Sequence, residues 1–207
     1  MSHRHFLIHK PYGYLSQFVG EANKKKLGEF YDFPAGIMAI GRLDEDSEGL
    51  LLLTTDGRTS ELVRSKKIEK EYYAQVDGVI DDAAIARLRV GVEIGIHDVK
   101  YTTAPCAARR LESAPGFAPR TRKIRDDRHG PTSWVSLTLT EGKYRQVRKM
   151  TAAAGFPTLR LVRVRVGSLW LGAMAPGAVV EVADFGLNSN SGLAAQYSGH
   201  IARLPGC

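Results

Sequence analysis

Cysteine is scarce in this chain: Cys106 and Cys207 are far apart, and neither belongs to a Cys-x-x-Cys pair. That usage excludes a disulfide framework, suggests no redox role and leaves both thiols reduced. Long hydrophobic runs are missing too. Apolar stretches stop at four residues, as in 50–53, whereas a spanning helix needs about 20. The start, Met1-Ser2-His3-Arg4-His5-Phe6, leads straight into a strand-like run and lacks the apolar segment, about 7 to 15 residues long, of a secretory signal. A cytoplasmic protein with no membrane partner is therefore expected.

What is present is length and positive charge. The 207 residues, 43% hydrophobic and 25% charged, suffice for a sizeable core without a disulfide or metal staple. Lys and Arg number 29 against 22 Asp and Glu, a net charge of +7, and the excess is local. Residues 109–130 hold seven basic side chains against three acidic ones, and residues 141–165 hold seven against one. The rest of the chain is net negative. Concentrated arginine suits a phosphate backbone, because each neutralised phosphate releases counterions and a guanidinium binds two oxygens at once. A solvated charged face is the plainer alternative for either cluster alone.

The pattern is mixed α and β with many short strands. Strands are expected over 5–9 and 14–18 around a Lys10-Pro11-Tyr12-Gly13 turn, then over 50–54, 72–76, 92–96, 100–104, 134–140, 159–166, 168–171 and 178–182. The run 50–54 is continuous, as in a strand buried on both faces. Helices are expected over 25–31 and 58–64, from Asp81 and Asp82 to Val90 with Gly91 as the stop, and over 144–154 before Gly155 and Pro157. Residues 112–131, rich in Pro, Gly and Arg, read as a long exposed loop. The tail 187–207 reads as mobile, and no linker divides 1–186 into independent domains.

The most informative segment is Gly41-Arg42-Leu43-Asp44-Glu45-Asp46-Ser47-Glu48-Gly49, which packs acid into a protein whose partner is expected to be polyanionic. Three readings compete: a metal site, a capping turn, or a catalytic carboxylate. The spacing is not that of a calcium loop, and the histidines show no ligand-type spacing. A turn is the usual fate of Asp, Ser and Gly before an apolar run.

With Leu50-Leu51 the segment resembles the active-site motif of RNA pseudouridine synthases, in the branch that modifies ribosomal RNA. Further segments of that branch follow in order: His9-Lys10-Pro11-Tyr12-Gly13-Tyr14-Leu15-Ser16-Gln17-Phe18 before it, then Lys70-Glu71-Tyr72, Glu141-Gly142-Lys143-Tyr144-Arg145-Gln146-Val147-Arg148-Lys149-Met150, and Leu161-Val162-Arg163-Val164-Arg165-Val166-Gly167-Ser168-Leu169. The resemblance covers roughly residues 5–185. It implies an α+β fold with a bent, mostly antiparallel mixed sheet, flanking helices, and two subdomains around an RNA-binding cleft. It also implies isomerisation of a uridine within RNA, with Asp44 as the catalytic carboxylate, Tyr72 stacked on the target base and Arg148 paired with Asp44.

A carboxylate suits attack on the sugar or abstraction of a sugar proton, and both routes stay open. Arg148 is expected to hold Asp44 ionised among its acidic neighbours. Arg42 is placed to enter the stack where the target nucleotide leaves, and Lys10, Arg145, Lys149, Arg163 and Arg165 are expected to contact RNA. Because the Lys-Pro-Tyr-Gly motif begins at residue 10, no S4-type RNA-binding domain is expected before it. That makes the chain most similar to the short E-type members of the branch. For these the resemblance implies 23S ribosomal RNA or a large-subunit precursor as partner, with the target in domain V. The reaction is redox neutral and no nucleotide, flavin or metal motif occurs, so no cofactor is expected, and the protein is expected to be a monomer. The alternatives are an isomerase of 16S ribosomal RNA or transfer RNA, and a non-catalytic assembly factor that binds ribosomal RNA.

Overall fold

The computed structural model describes residues 2–20, 22–65, 68–124 and 127–187. The chain divides into two units, one joining Met1–Ile68 to the stretch from Arg163 on, the other Glu69–Val162.

In the first unit, β1 (His5–Lys10) is buried at every position. β2 (Tyr14–Leu15) and β3 (Lys25–Lys26) form a short parallel pair. β4 (Met38–Ile40) runs antiparallel to β5 (Glu48–Thr54). β5 pairs antiparallel with β1, setting Ile8 opposite Leu51 and Lys10 opposite Gly49. All of β5 is buried, so its apolar run is continuous rather than alternating. α1 (Gly57–Ser65) starts where the Asp56 carboxylate accepts from the Arg58 N–H at 2.9 Å and the Thr59 hydroxyl at 2.7 Å, a side chain meeting the orphan donors of a helix start.

In the second unit, β6 (Lys70–Asp77) leads to α2 (Asp82–Val90). Asp81 caps α2 by accepting from the Ala84 N–H at 2.7 Å. Gly91 ends it at φ 101°, where an added Cβ would meet the Thr103 carbonyl oxygen at 2.2 Å. β7 (Glu93–Ile96) and β8 (Val99–Thr102) make a hairpin. β9 (Ala107–Arg110) and β10 (Thr132–Leu139) join β6 in an antiparallel order β6-β10-β9. α3 (Gln146–Ala153) follows. Val76, Ile80, Leu88, Val135, Leu137 and Met150 share the buried core of this unit.

β11 (Thr158–Val166) carries the chain back into the first unit. There it turns into β12 (Leu169–Trp170), and β13 (Val179–Val182) pairs with the other edge of β1. Gly49 on β5 approaches Arg163 on β11 so closely that a Cβ would lie 2.3 Å from the Arg163 carbonyl oxygen. Glycine is therefore required after the acidic segment, for close approach as well as for its φ of 109°.

The class is α+β and the described pairings are mostly antiparallel, as expected, but β4 and β9 fall where no strand is expected and three segments depart from their expected form. Residues 14–18 pair over Tyr14–Leu15 alone, because Ser16 turns its hydroxyl to the backbone of Leu43. Residues 25–31 are not a helix: β3 runs into a single 3-10 turn, Leu27–Glu29, in which Leu27 is fully buried, and Phe30 packs on Tyr14 at 4.3 Å. α3 starts at Gln146 rather than at residue 144, because Arg145 adopts a left-handed backbone, φ 52° and ψ 33°, that no right-handed helix continues. Residues 112–131 are mostly exposed, yet anchored. Phe117 packs on Trp134 at 5.7 Å and under the Arg160 guanidinium at 5.5 Å, and Arg160 donates to the Ala118 carbonyl at 3.0 Å. The tail beyond residue 187, with Cys207, and Arg125 within the loop lie outside the described residues.

Candidate active site

Asp44 stands half-buried in the turn between β4 and β5, which the Ser47 N–H closes by donating to the Asp44 carbonyl at 3.0 Å. The 10–16 segment fixes this turn through its backbone. The Ser16 hydroxyl donates to the Leu43 carbonyl at 2.7 Å and accepts from the Leu43 N–H at 2.9 Å, one residue before Asp44. The Gly13 N–H donates to the Glu45 carbonyl at 2.8 Å, one residue after it. Asp44 is thus pinned on both sides.

Lys10 completes the cradle. Its side chain is fully buried, and Nζ donates to the carbonyls of Tyr14 at 2.6 Å, Pro11 at 3.1 Å and Glu45 at 3.5 Å. Burial draws its pKa down to about 7, against the opposing pull of Glu48, Asp46, Asp44 and Glu45. Three carbonyl acceptors match the three N–H bonds of the ammonium form. Ser47 and Glu48 are buried behind the turn.

Two expected RNA contacts are corrected by this geometry. Lys10 has no surface to offer a phosphate, and Arg163 is 4% exposed with Nε donating to the Leu50 carbonyl at 2.7 Å. Both cations serve backbone oxygens around the acidic segment, where buried carbonyls need donors. Arg165 is half-buried, donates to the Gly167 carbonyl at 2.8 Å and lies 5.4 Å from the Trp170 ring centre. Arg42 is exposed beside Asp44 in sequence.

The second unit holds the other expected residues. Tyr72 lies on β6 opposite Leu137 and packs, partly buried, against the core of this unit. Tyr73 turns to the opposite face, toward Phe117 at 6.2 Å. Arg148 is on α3, half-buried, with Nη1 donating to the Thr158 carbonyl at 3.4 Å. Arg145 precedes the helix, in its left-handed backbone, and is half-buried. Lys149 donates to the Gly95 carbonyl at 2.5 Å and rests 5.1 Å from the Tyr144 ring centre.

Glu141 organises the approach to α3. Its carboxylate accepts from the Tyr101 hydroxyl at 2.6 Å, from the Ala104 N–H at 2.9 Å and from the Gln146 amide. Gln146 in turn accepts from the Lys143 N–H at 2.9 Å. Burial pushes the Glu141 carboxyl upward, but these donors and the nearby Lys143 charge hold it below the ordinary carboxylate range. Ser16 and Glu141 had no assigned role in the sequence reading, although both lie within the quoted motifs. Burial raises the Cys106 thiol to about 11, which keeps it protonated. Among the described residues no group of three or more His, Cys, Asp or Glu is arranged to hold a metal ion.

The first unit therefore presents a carboxylate whose neighbouring backbone is fixed, able to attack a carbon or take a proton. The second presents an aromatic face and a half-buried guanidinium on one scaffold. Residues 4–153 match the profile of the RNA pseudouridylate synthases. The chain belongs to this family. It is 43% identical to ribosomal large subunit pseudouridine synthase E of Xanthomonas campestris pv. campestris, over 83% of this chain and 91% of that protein. It is 40% identical to the protein of the same name from Vibrio parahaemolyticus, over 85% of this chain and 72% of that one. A crystal structure of a pseudouridylate synthase superposes with a TM-score of 0.70 at 27% identity, covering 87% of this chain and 70% of the other. The family reaction detaches uracil from its ribose nitrogen bond and rejoins it through carbon 5, so RNA is the substrate and the enzyme an isomerase.

Proposed function

We propose that this pseudouridine synthase modifies a uridine of 23S ribosomal RNA in the large subunit, in domain V, acting in the cytoplasm as a monomer. The supporting observation is the name carried by relatives 40 to 44% identical over most of the chain, which specifies the large subunit. Residues 1–186 act as one catalytic domain built from the two units. Asp44 is the catalytic carboxylate, and its fixed backbone holds it for reaction at the sugar. Arg148 serves in catalysis with it, Tyr72 stacks on the base, and Arg42 fills the gap that the base leaves, offsetting an unstacking cost of about a few kcal/mol. Arg145, Lys149 and Arg165 contact the RNA around it.

The test uses 23S RNA, 16S RNA and transfer RNA lacking pseudouridine, each incubated with the protein and mapped chemically for product. One modified position in domain V of 23S RNA is expected. Product on 16S RNA or transfer RNA alone transfers the enzyme to that substrate, and no product on any of them leaves an RNA-binding assembly role. Asp44→Asn is expected to lower turnover by more than about 1000-fold with RNA affinity retained, as for loss of a group acting in the transition state. Turnover near that of the wild type removes Asp44 from its role.

A further inference from the structure

β9 is the edge strand of the second unit's sheet, and a groove of about 850 Å³ opens along it. Arg89 from the end of α2 and Arg109 and Arg110 from β9 line this groove. All three are exposed. Neighbouring strand residues point to opposite faces, so Arg109 and Arg110 straddle the sheet edge. Arg89 is steadied by its Nε, which donates to the Ala108 carbonyl at 2.7 Å and covers that edge of the strand.

The charges in the groove are poorly neutralised. Among the described residues, Arg89 and Arg110 form no ion pair, and Arg109 reaches Glu71 only at 4.0 Å with its side chain 59% exposed. The carboxylates of Asp82 and Glu112 also line the groove, yet neither comes within ion-pair distance of these arginines among the described residues. Elsewhere the protein pairs an exposed arginine closely, as with Arg4 and Glu181 at 2.6 Å. Three guanidinium groups from two elements, left without close counter-charge around one concavity, complement a chain of phosphates.

We propose that this groove is a second RNA site, which grips the phosphate backbone of substrate RNA flanking the modified nucleotide. It takes no part in the isomerisation and reads no base: its arginines set the register of a long substrate. The proposal extends the reading of the protein as an enzyme on structured RNA and does not depend on which RNA is modified.

The test is an Arg109→Gln/Arg110→Gln variant of the full chain, its binding measured by fluorescence anisotropy across a salt series. Two RNAs are used, both containing the unmodified target uridine: a long fragment with both flanks and a hairpin trimmed to the target loop. For the long RNA, affinity near 0.15 M salt is expected to fall about tenfold and the slope of log affinity against log salt to shrink by about 2. Affinity and turnover on the hairpin are expected to equal those of the wild type. An unchanged slope on the long RNA overturns the proposal, and so does an equal loss on both RNAs, which would place the arginines at the target nucleotide. Should the double variant melt early, Arg110→Gln alone is expected to remove about 1 from the slope. If the RNA modified is not 23S, the large-subunit assignment fails while this comparison is read unchanged on the RNA that is.

Discussion

Lys10 and Ser16 act on the acidic turn through backbone atoms, which is why their side chains must be buried to do so. The Ser16 hydroxyl both gives and takes a hydrogen bond at Leu43, so alanine there leaves two buried polar groups unsatisfied, at about 1 to 3 kcal/mol each. Lys10 carries a cation into the same cradle, and its titration has a defined sign. Burial places its folded pKa at about 7 against an ordinary 10.5. Between those values the unfolded chain binds more protons than the folded one, so stability rises with pH across that window, by up to about 1.4 kcal/mol per pH unit. Lys10→Met cannot titrate and is expected to lack this rise. Over the same window the wild type is expected to lose turnover, because one carbonyl loses its donor and the acidic turn loses its cation. Denaturant unfolding of both proteins from pH 7 to pH 10 tests this, and parallel pH profiles would remove Lys10 as the source.

At the scale of elements, what was legible in the sequence followed from periodicity and from capping. The run 50–54, the Asp81 start and Gly91 stop of α2, and the strand containing Tyr72 all follow patterns that local chemistry imposes. β9 left no such trace. Ala107-Ala108-Arg109-Arg110 has no apolar alternation, and the strand is defined by its register with β10. The start of α3 was misplaced because a left-handed arginine cannot be told from a helical one by residue type. Of the candidate site, the motif made Asp44 legible, but not the cradle around it. Whether Lys10 reaches solvent or three carbonyls depends on partners set by the fold.

The network at Glu141 is of the same kind. One carboxylate ties β8, residue 104 and the first residue of α3, and α3 carries Arg148. In Glu141→Gln a single carbonyl oxygen replaces two carboxylate oxygens, so the set of donors is no longer fully met. Turnover is expected to drop about tenfold or more, near 1.4 kcal/mol in the barrier, with RNA affinity unchanged. Equal losses in turnover and affinity would instead mark a general loosening of the unit.

At the scale of the molecule, the two basic segments divide their charge differently. In 109–130 the side chains of Arg109, Arg110, Arg122, Lys123 and Arg128 are exposed, whereas in 141–165 Lys143 is exposed and Arg160 and Arg163 are buried. The +6 of the second segment therefore overstates the phosphates it can neutralise, because part of that charge serves carbonyls such as those of Ala118 and Leu50. A cation spent on a buried carbonyl contributes to stability and releases no counterions, while an exposed one does the reverse. Arg163→Met is accordingly expected to cost about 1 to 3 kcal/mol of stability and to leave the salt slope of RNA binding unchanged. Lys123→Gln is expected to leave the melting temperature unchanged and to lower that slope by about 1. Melting curves and salt titrations on the two variants separate the roles, and a slope that falls with Arg163→Met would return that arginine to the RNA surface.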